Sequence, residues 1–278
     1  MPTAEKVERK LAIVVPEKRY ARHVPRRSCL KLFSRPAVGL LDRWRNLFVW
    51  VSIGELEEVS PFVRQANQRH VLRGLFVEAE RDCGLLPQLL HRAKVRTLKN
   101  MFIHFDAQVP RRVLHAYCIG AEAELIANAQ VVDSELHVLS CDAQSYVLSF
   151  DEMPAIRTVG PGDRSLFEIA EDGSYLHWPA ADVHLDIETI RAQTDAEYRE
   201  RLLVERAERE GRIGRAIALL RREAGLRQGD VAGLSERQVR RIEKGEGTKV
   251  KTFRSLAEAH GMGLDEYLDK IAQKARYI

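Results

Sequence analysis

The chain is 278 residues long, 45% hydrophobic and 30% charged, with a formal net charge of +4 at pH 7. That length accommodates one large domain or two small ones, and that composition excludes wholesale disorder. The apolar run Leu47–Val51 is far too short for a bilayer span, so no membrane partner is expected.

Lys6, Arg9 and Lys10 precede only the short stretch 11–16, and no small-residue cleavage site follows. A secretory signal is therefore not expected, and the compartment is read as cytoplasmic. Cys29, Cys83, Cys118 and Cys141 are too far apart for a C-x-x-C metal or redox site and too few for a disulfide scaffold. Buried free thiols are the expectation.

Charge divides the chain. Residues 1–100 hold 20 Lys and Arg against 10 Asp and Glu, residues 101–200 hold 6 against 18, and residues 201–278 hold 18 against 12. An acidic middle repels a polyanion, so any nucleic-acid contact should come from the ends.

Residues 1–100 contain 14 arginines and little periodicity. Leu47–Val51 reads as a strand and Leu85–Leu98 as a short basic helix, with few caps or hairpin turns around them. The segment reads as a poorly structured basic arm, or as a stretch that is not native if Met101 is the true start. From residue 102 the pattern turns to short strands. Leu125–Val132 and Leu136–Cys141 form a hairpin through Asp133-Ser134-Glu135, and Tyr146–Phe150 is a third strand. Asp151-Glu152-Met153-Pro154 resembles a helix start, and Glu171-Asp172-Gly173 turns between Leu166–Ile169 and Tyr175–Trp178. Residues 101–193 are thus expected to be an acidic, mostly antiparallel α+β module.

Within it, His177, Asp182, His184 and Asp186 lie close in sequence, and His184 and Asp186 share a face if extended. A metal or acid–base site needs a third convergent group, and no H-E-x-x-H or G-x-S-x-G spacing occurs. No catalytic residue, metal or cofactor is assigned. Trp178 is expected in the core, with Pro179 ending its strand and the charged neighbours solvated.

Residues 194–211 read as a linker helix, N-capped by Thr194, with acid-first pairs Glu197–Arg201 and Glu205–Arg209. Its narrow stripe of Tyr198, Leu202, Val204 and Ala207 either faces solvent or pairs with another subunit. Residues 212–278 read as five short helices. Ile213, Ile217 and Leu220 set the first, ending at Gly225, and Gln228–Ala232 is a brief second. Ser235 N-caps the third, with Gln238 completing a capping box and Val239 and Ile242 pointing inward. Thr252 caps a fourth, and Leu264–Ile271 is the fifth.

Two resemblances follow. The stretch from Phe167 to Val183, with its Trp178-Pro179-Ala180-Ala181-Asp182 segment, resembles a family of small bacterial domains of unknown function ending in x-W-P-x-x-D. The set Gln228-x-x-Val231-Ala232, Gly233-Leu234-Ser235-x-x-x-Val239-x-x-Ile242-Glu243-x-Gly245 resembles the helix-turn-helix of the phage-repressor (Cro-like, XRE-type) family over residues 213–271. Ala232 and Gly233 are adjacent where that family has about three residues between, so the second helix is short by nearly a turn. The resemblance implies that Glu236, Arg237 and Arg241 face bases and that Gln228 touches phosphate; Arg240 and Lys244 are expected to add phosphate contacts. The resemblance makes Glu243 structural.

The groove chemistry agrees. A helix capped by Ser235 fits a major groove, and arginines four apart share one face and can each grip a guanine edge. The expected fold class is thus α+β: a small antiparallel module, then an all-α helix-turn-helix domain, with a basic arm ahead of both. The expected function is a DNA-binding transcriptional regulator, a non-enzyme acting as a homodimer on double-stranded DNA. One alternative is the antitoxin of a toxin–antitoxin pair, whose acidic module covers a small basic toxin. Another is an enzyme built on the middle module, using His184 or Asp182.

Overall fold

The computed structural model describes residues 9–80, 83–247 and 249–278. These form two compact units, one running through Gln193 and the other from Thr194 to Ile278.

In the first unit, strands alternate with helices: β1 (Leu11–Val14), α1 (Lys18–Ala21), β2 (Leu30–Phe33), α2 (Val38–Arg43), β3 (Leu47–Ser52), α3 (Leu56–Gln68), β4 (Leu72–Glu78), α4 (Leu86–Arg92), β5 (Met101–His104) and α5 (Gln108–Ile119). The five strands make one parallel sheet in the order β2-β1-β3-β4-β5. Parallel strands joined by helices are covered on both faces, so both sets of alternating side chains are apolar. Ala12, Val14, Leu47, Val49, Val51, Leu75 and Val77 pack against α2, α3 and α4. Leu11, Ile13, Phe48, Trp50, Phe76 and Phe102 pack on the other face against Val109, Val113 and Leu114 of α5. Aromatic rings cross that second face in contact, with Tyr20 stacked on Trp50 at 5.2 Å and Phe76 at 5.5 Å from Phe102.

This overturns the expected fold class. Residues 1–100 are not an unstructured basic arm: their described part supplies four of the five parallel strands. A start at Met101 would leave β5 without β4, its partner through Leu75↔Met101 and Phe76↔Phe102. The Arg-rich composition that suggested an arm comes, among the described residues, mostly from exposed helix and loop positions between short strands, with Arg73 at an exposed position of β4. The middle of the chain is not a separate antiparallel module either. Its opening stretch is β5 and α5, and the core of the sheet's second face includes Leu125, Ala127 and Cys141.

After α5 come two three-stranded antiparallel sheets, β6 (Ile126–Val132), β7 (Glu135–Ser140) and β8 (Ser145–Ser149), then β9 (Glu168–Ile169), β10 (Leu176–Trp178) and β11 (Val183–Leu185), with α6 (Ile187–Thr194) closing the unit. Asp133 and Ser134 both take positive φ, the two-residue reversal that matches strand twist, and they join β6 to β7. Trp178, Phe150, Leu176, Leu185 and Ile190 share a third core. The stretch 151–164 forms turns and no helix, contrary to the helix start read at Asp151–Pro154. The four cysteines are free; Cys29 and Cys141 are buried, Cys83 and Cys118 half-buried. Burial pushes the Cys118 thiol up to about 12, assisted by its contact with Cys29 at 2.6 Å.

The second unit contains α7 (Ala196–Glu223), a single 3-10 turn at Gln228–Asp230, α8 (Glu236–Glu243), α9 (Val250–Ala259) and α10 (Leu264–Ala275). The expected linker helix and first helix are one 28-residue helix, capped by Asp195 rather than Thr194. The expected second helix is only the 3-10 turn, so there are four α-helices and not five. α9 starts before Thr252, at Val250. Among the described residues no helix is long and apolar enough to cross a membrane.

Gly173 fastens the first unit's turn to β6. It has φ +83°, its carbonyl accepts from the Ile126 amide at 2.7 Å, and a Cβ there would overlap the Ile126 carbonyl oxygen. Gly173→Ala should cost at least about 2 kcal/mol, from left-handed backbone strain plus the overlap. All three tryptophans lie in the first unit, so urea unfolding followed by tryptophan fluorescence reads this directly. An unchanged midpoint would contradict the placement.

Candidate nucleic-acid interface

α8 is built to present a polar face. Ser235 Oγ accepts from the Gln238 amide at 3.3 Å, and Gln238 Oε1 accepts from the Ser235 amide at 2.8 Å. This reciprocal cap satisfies two orphan donors of the helix start. Val239 and Ile242 are buried among Ala216, Ile217 and Leu220 of α7 and Leu256 and Ala257 of α9. With that side occupied, Glu236, Arg237, Arg240 and Arg241 are all exposed.

The charged residues fall into two neighbouring rows, each spaced by one helical turn. Arg237 and Arg241 form one. Arg240 and Lys244 form the other, which borders a cleft of about 400 Å³ lined also by Arg215 and Arg222 of α7, Gln228 and Glu243. The structure thus brings Gln228, Arg240 and Lys244, the three residues expected to contact phosphates, to one cleft, and adds Arg215 and Arg222. The added pair escaped notice because both sit on α7, far from the motif in sequence, with nothing but helical periodicity to mark them.

Among the described residues lining that cleft, which also include Ile278, Glu243 carries the one acidic side chain, and it is engaged. Arg221 holds it bidentately at 2.5 and 3.2 Å, and Gln228 Nε2 donates to it at 2.7 Å. Both members of the ion pair are less than a tenth exposed. Arg221 also donates to the Leu226 carbonyl at 2.6 Å, and its own pKa rises because Glu243 hydrogen-bonds it. The Arg221 guanidinium therefore ties α7 to the loop after it and to α8, and Gln228 adds the 3-10 turn through Glu243. Two other carboxylates lie near the rows: Glu236, exposed in the first turn of α8, and Glu246, which ion-pairs with Arg241 at the surface. An exposed pair of that kind contributes at most about 1 kcal/mol, less than the roughly 1–3 kcal/mol of an Arg–guanine contact. Arg241 can exchange one for the other.

The α7–α8 approach is backbone to backbone. A Cβ on Gly214 would lie 2.6 Å from the Ile242 carbonyl oxygen and 2.7 Å from that of Glu243, and one on Gly245 would lie 2.8 Å from Gly211 Cα. The close approach therefore depends on the missing side chains of Gly214 and Gly245, while α7 runs unbroken through Gly211.

A second polar cluster, which sequence reasoning missed, lies in the first unit. In open parallel sheets, ligand sites form outside the carboxyl ends of the strands where strand order reverses, here between β1 and β3. Glu17, after β1, accepts from the Ser52 amide at 3.1 Å and from Arg19 Nε at 2.6 Å. Although burial opposes it, hydrogen bonds from Ser52 and Arg19 lower its pKa. The Tyr20 hydroxyl donates to Glu78 at the end of β4, and Arg19 pairs with the same carboxylate at 3.4 Å. His104 ends β5, is 1% exposed, and has its pKa lowered by burial, so its ring is neutral. The available signal was the recurrence of a polar residue directly after each apolar run. Without a parallel sheet in view, nothing joined those four positions.

Comparison with family models, with curated proteins and with solved structures found no match to this chain.

Three variants probe the frame of α8. Glu243→Ala strands a buried guanidinium and should destabilise the second unit by about 3 kcal/mol, whereas the paired change Arg221→Met with Glu243→Leu should recover most of that loss. Gly214→Ala should lower stability by about 1–3 kcal/mol through overpacking. Thermal melts followed by helical circular dichroism read all three, and a Glu243→Ala melt matching wild type would refute the pairing.

Proposed function

We propose that this chain is a sequence-specific DNA-binding regulator that lays α8 in the major groove of a duplex. The observation that supports this best is the pair of rows on α8, held outward by a reciprocal cap and by burial of Val239 and Ile242. Base readout falls to Arg237 and Arg241, with Glu236 in the first turn able to accept from a cytosine amino group. Phosphate contacts fall to the cleft with Arg240, Lys244, Arg215 and Arg222, where Glu243 is already neutralised by Arg221. Gln228 borders this cleft while holding Glu243, so in this reading it serves the anion site from its edge.

One recognition helix spans few base pairs, so twofold pairing on two half-sites supplies the affinity. Leu203 and Val204 remain exposed on the first half of α7 and are the surface we assign to that pairing. The α/β unit takes the sensing or interaction role, an assignment supported by its polar edge at the strand-order reversal.

The experiment is a selection of bound sequences from random duplexes with the full chain, followed by affinity measurement across salt. Arg237→Ala should relax base preference at one position at a cost of about 1–3 kcal/mol on the selected site. Lys244→Ala should weaken selected and random duplexes alike and reduce the salt slope by about one. Absence of salt-sensitive duplex binding, or identical losses on both DNAs for both variants, would overturn the proposal.

A further inference from the structure

The hairpin β10–β11 carries a convergence of ligand-type side chains that the sequence left incomplete. Register pairs His177 with His184 directly across the two strands, flanked by Leu176↔Leu185 and Trp178↔Val183. Leu176, Trp178 and Leu185 are buried, so strand alternation sends the two imidazoles to the opposite, outer face. Their rings stack at 4.2 Å with 12° between planes. The chain reverses through Pro179–Asp182, and Asp182 takes φ +50°, a left-handed conformation that Asp tolerates better than most residues. One ligand atom from each of His177, Asp182 and His184 lies within 4.8 Å of the others. Asp186, the fourth residue of the sequence cluster, is elsewhere: its carboxylate accepts from the Thr189 amide at 2.7 Å at the start of α6.

We propose that His177, Asp182 and His184 form a binding site for a divalent transition cation of the zinc class. Two imidazoles and one carboxylate suit such borderline cations, whereas magnesium and calcium prefer all-oxygen sets. Bonds of about 2.0–2.2 Å to a tetrahedral zinc put ligand atoms roughly 3.4 Å apart. Binding requires the two stacked imidazoles to turn out of their parallel arrangement, so that one nitrogen of each faces the ion beside Asp182, while the strands stay in register. Among the described residues, none of the three side chains makes a hydrogen bond or ion pair that binding would have to break. Three protein ligands leave the fourth position for water or an exchangeable external group. Glu168, paired with His177 on its other side, continues the row on that face.

The site has no part in the proposed DNA contacts, and its test is independent of them. Zn²⁺ is titrated calorimetrically into the full chain, and Co²⁺ is followed by the visible absorption of its four-coordinate complex. One saturable ion per chain is expected, with His177→Ala and His184→Ala each weakening binding by at least about tenfold and Asp182→Asn weakening it measurably. His91→Ala, far from the hairpin in sequence, should leave binding as in wild type. On the unmodified chain, Zn²⁺ should shield His177 and His184 from acylation by diethylpyrocarbonate, read by peptide mass spectrometry, so the result does not depend on any variant folding. Wild-type affinity in His177→Ala and in His184→Ala, no saturable uptake by wild type, or equal acylation with and without Zn²⁺ would overturn the site.

Discussion

A parallel sheet has to be covered on both faces, and the first unit is organised around that demand. Each strand sends alternate side chains to two different cores: Ala12 and Val14 to one, Leu11 and Ile13 to the other; Val49 and Val51 to one, Phe48 and Trp50 to the other. Three helices, α2, α3 and α4, close the first face. On the second, α5 is joined by Leu125, Ala127 and Cys141, so the start of the antiparallel region belongs to the same core as the parallel strands. That shared burial is why an Arg-rich beginning and an acidic middle make a single compact unit in spite of opposite charge. It also fixes where Glu17, Ser52, Glu78 and His104 end up, because strands held side by side place their carboxyl ends along one edge.

The second unit solves a different problem, keeping a short and strongly charged helix in one orientation. α8 spans only Glu236–Glu243 and buries two side chains, too little apolar area to hold it alone. Its position is supplemented from below by Arg221 gripping Glu243 and from the side by the Gly214 and Gly245 contacts, which let two helix backbones approach without side chains between them. A buried ion pair of this kind contributes more to orientation than to net stability, since removing both charges together costs far less than removing one. The polar rows outside follow from the apolar and ionic contacts inside.

Local chemistry made parts of this legible. The Ser235–Gln238 cap, the inward spacing of Val239 and Ile242, the reversal at Asp133-Ser134 and the burial of Trp178 all depend on residues within a few positions of one another. The parallel sheet was illegible for a physical reason. Strands buried on both faces show no polar–apolar alternation, and runs such as Leu11–Val15 are too short to tell from a buried turn of helix. Arginines on the intervening helices and loops then dominated the composition of residues 1–100. The linker helix expected over 194–211 and the first helix after it are one continuous α7, because Gly214 on it is packed against the α8 backbone by contacts about thirty positions away.

What residues alone establish here is which short segments cap, turn or turn one side inward, because those preferences are settled by sterics and hydrogen bonds over a single helical turn or hairpin. Which segments lie side by side is settled by burial between positions tens of residues apart, and only the folded chain reveals it. The neighbours so created carry the chemistry. Arg215 and Arg222 come to the cleft beside Arg240. Arg221 comes to Glu243, and Glu78 to Tyr20. Asp182 is brought to two histidines that cross-strand register had already paired.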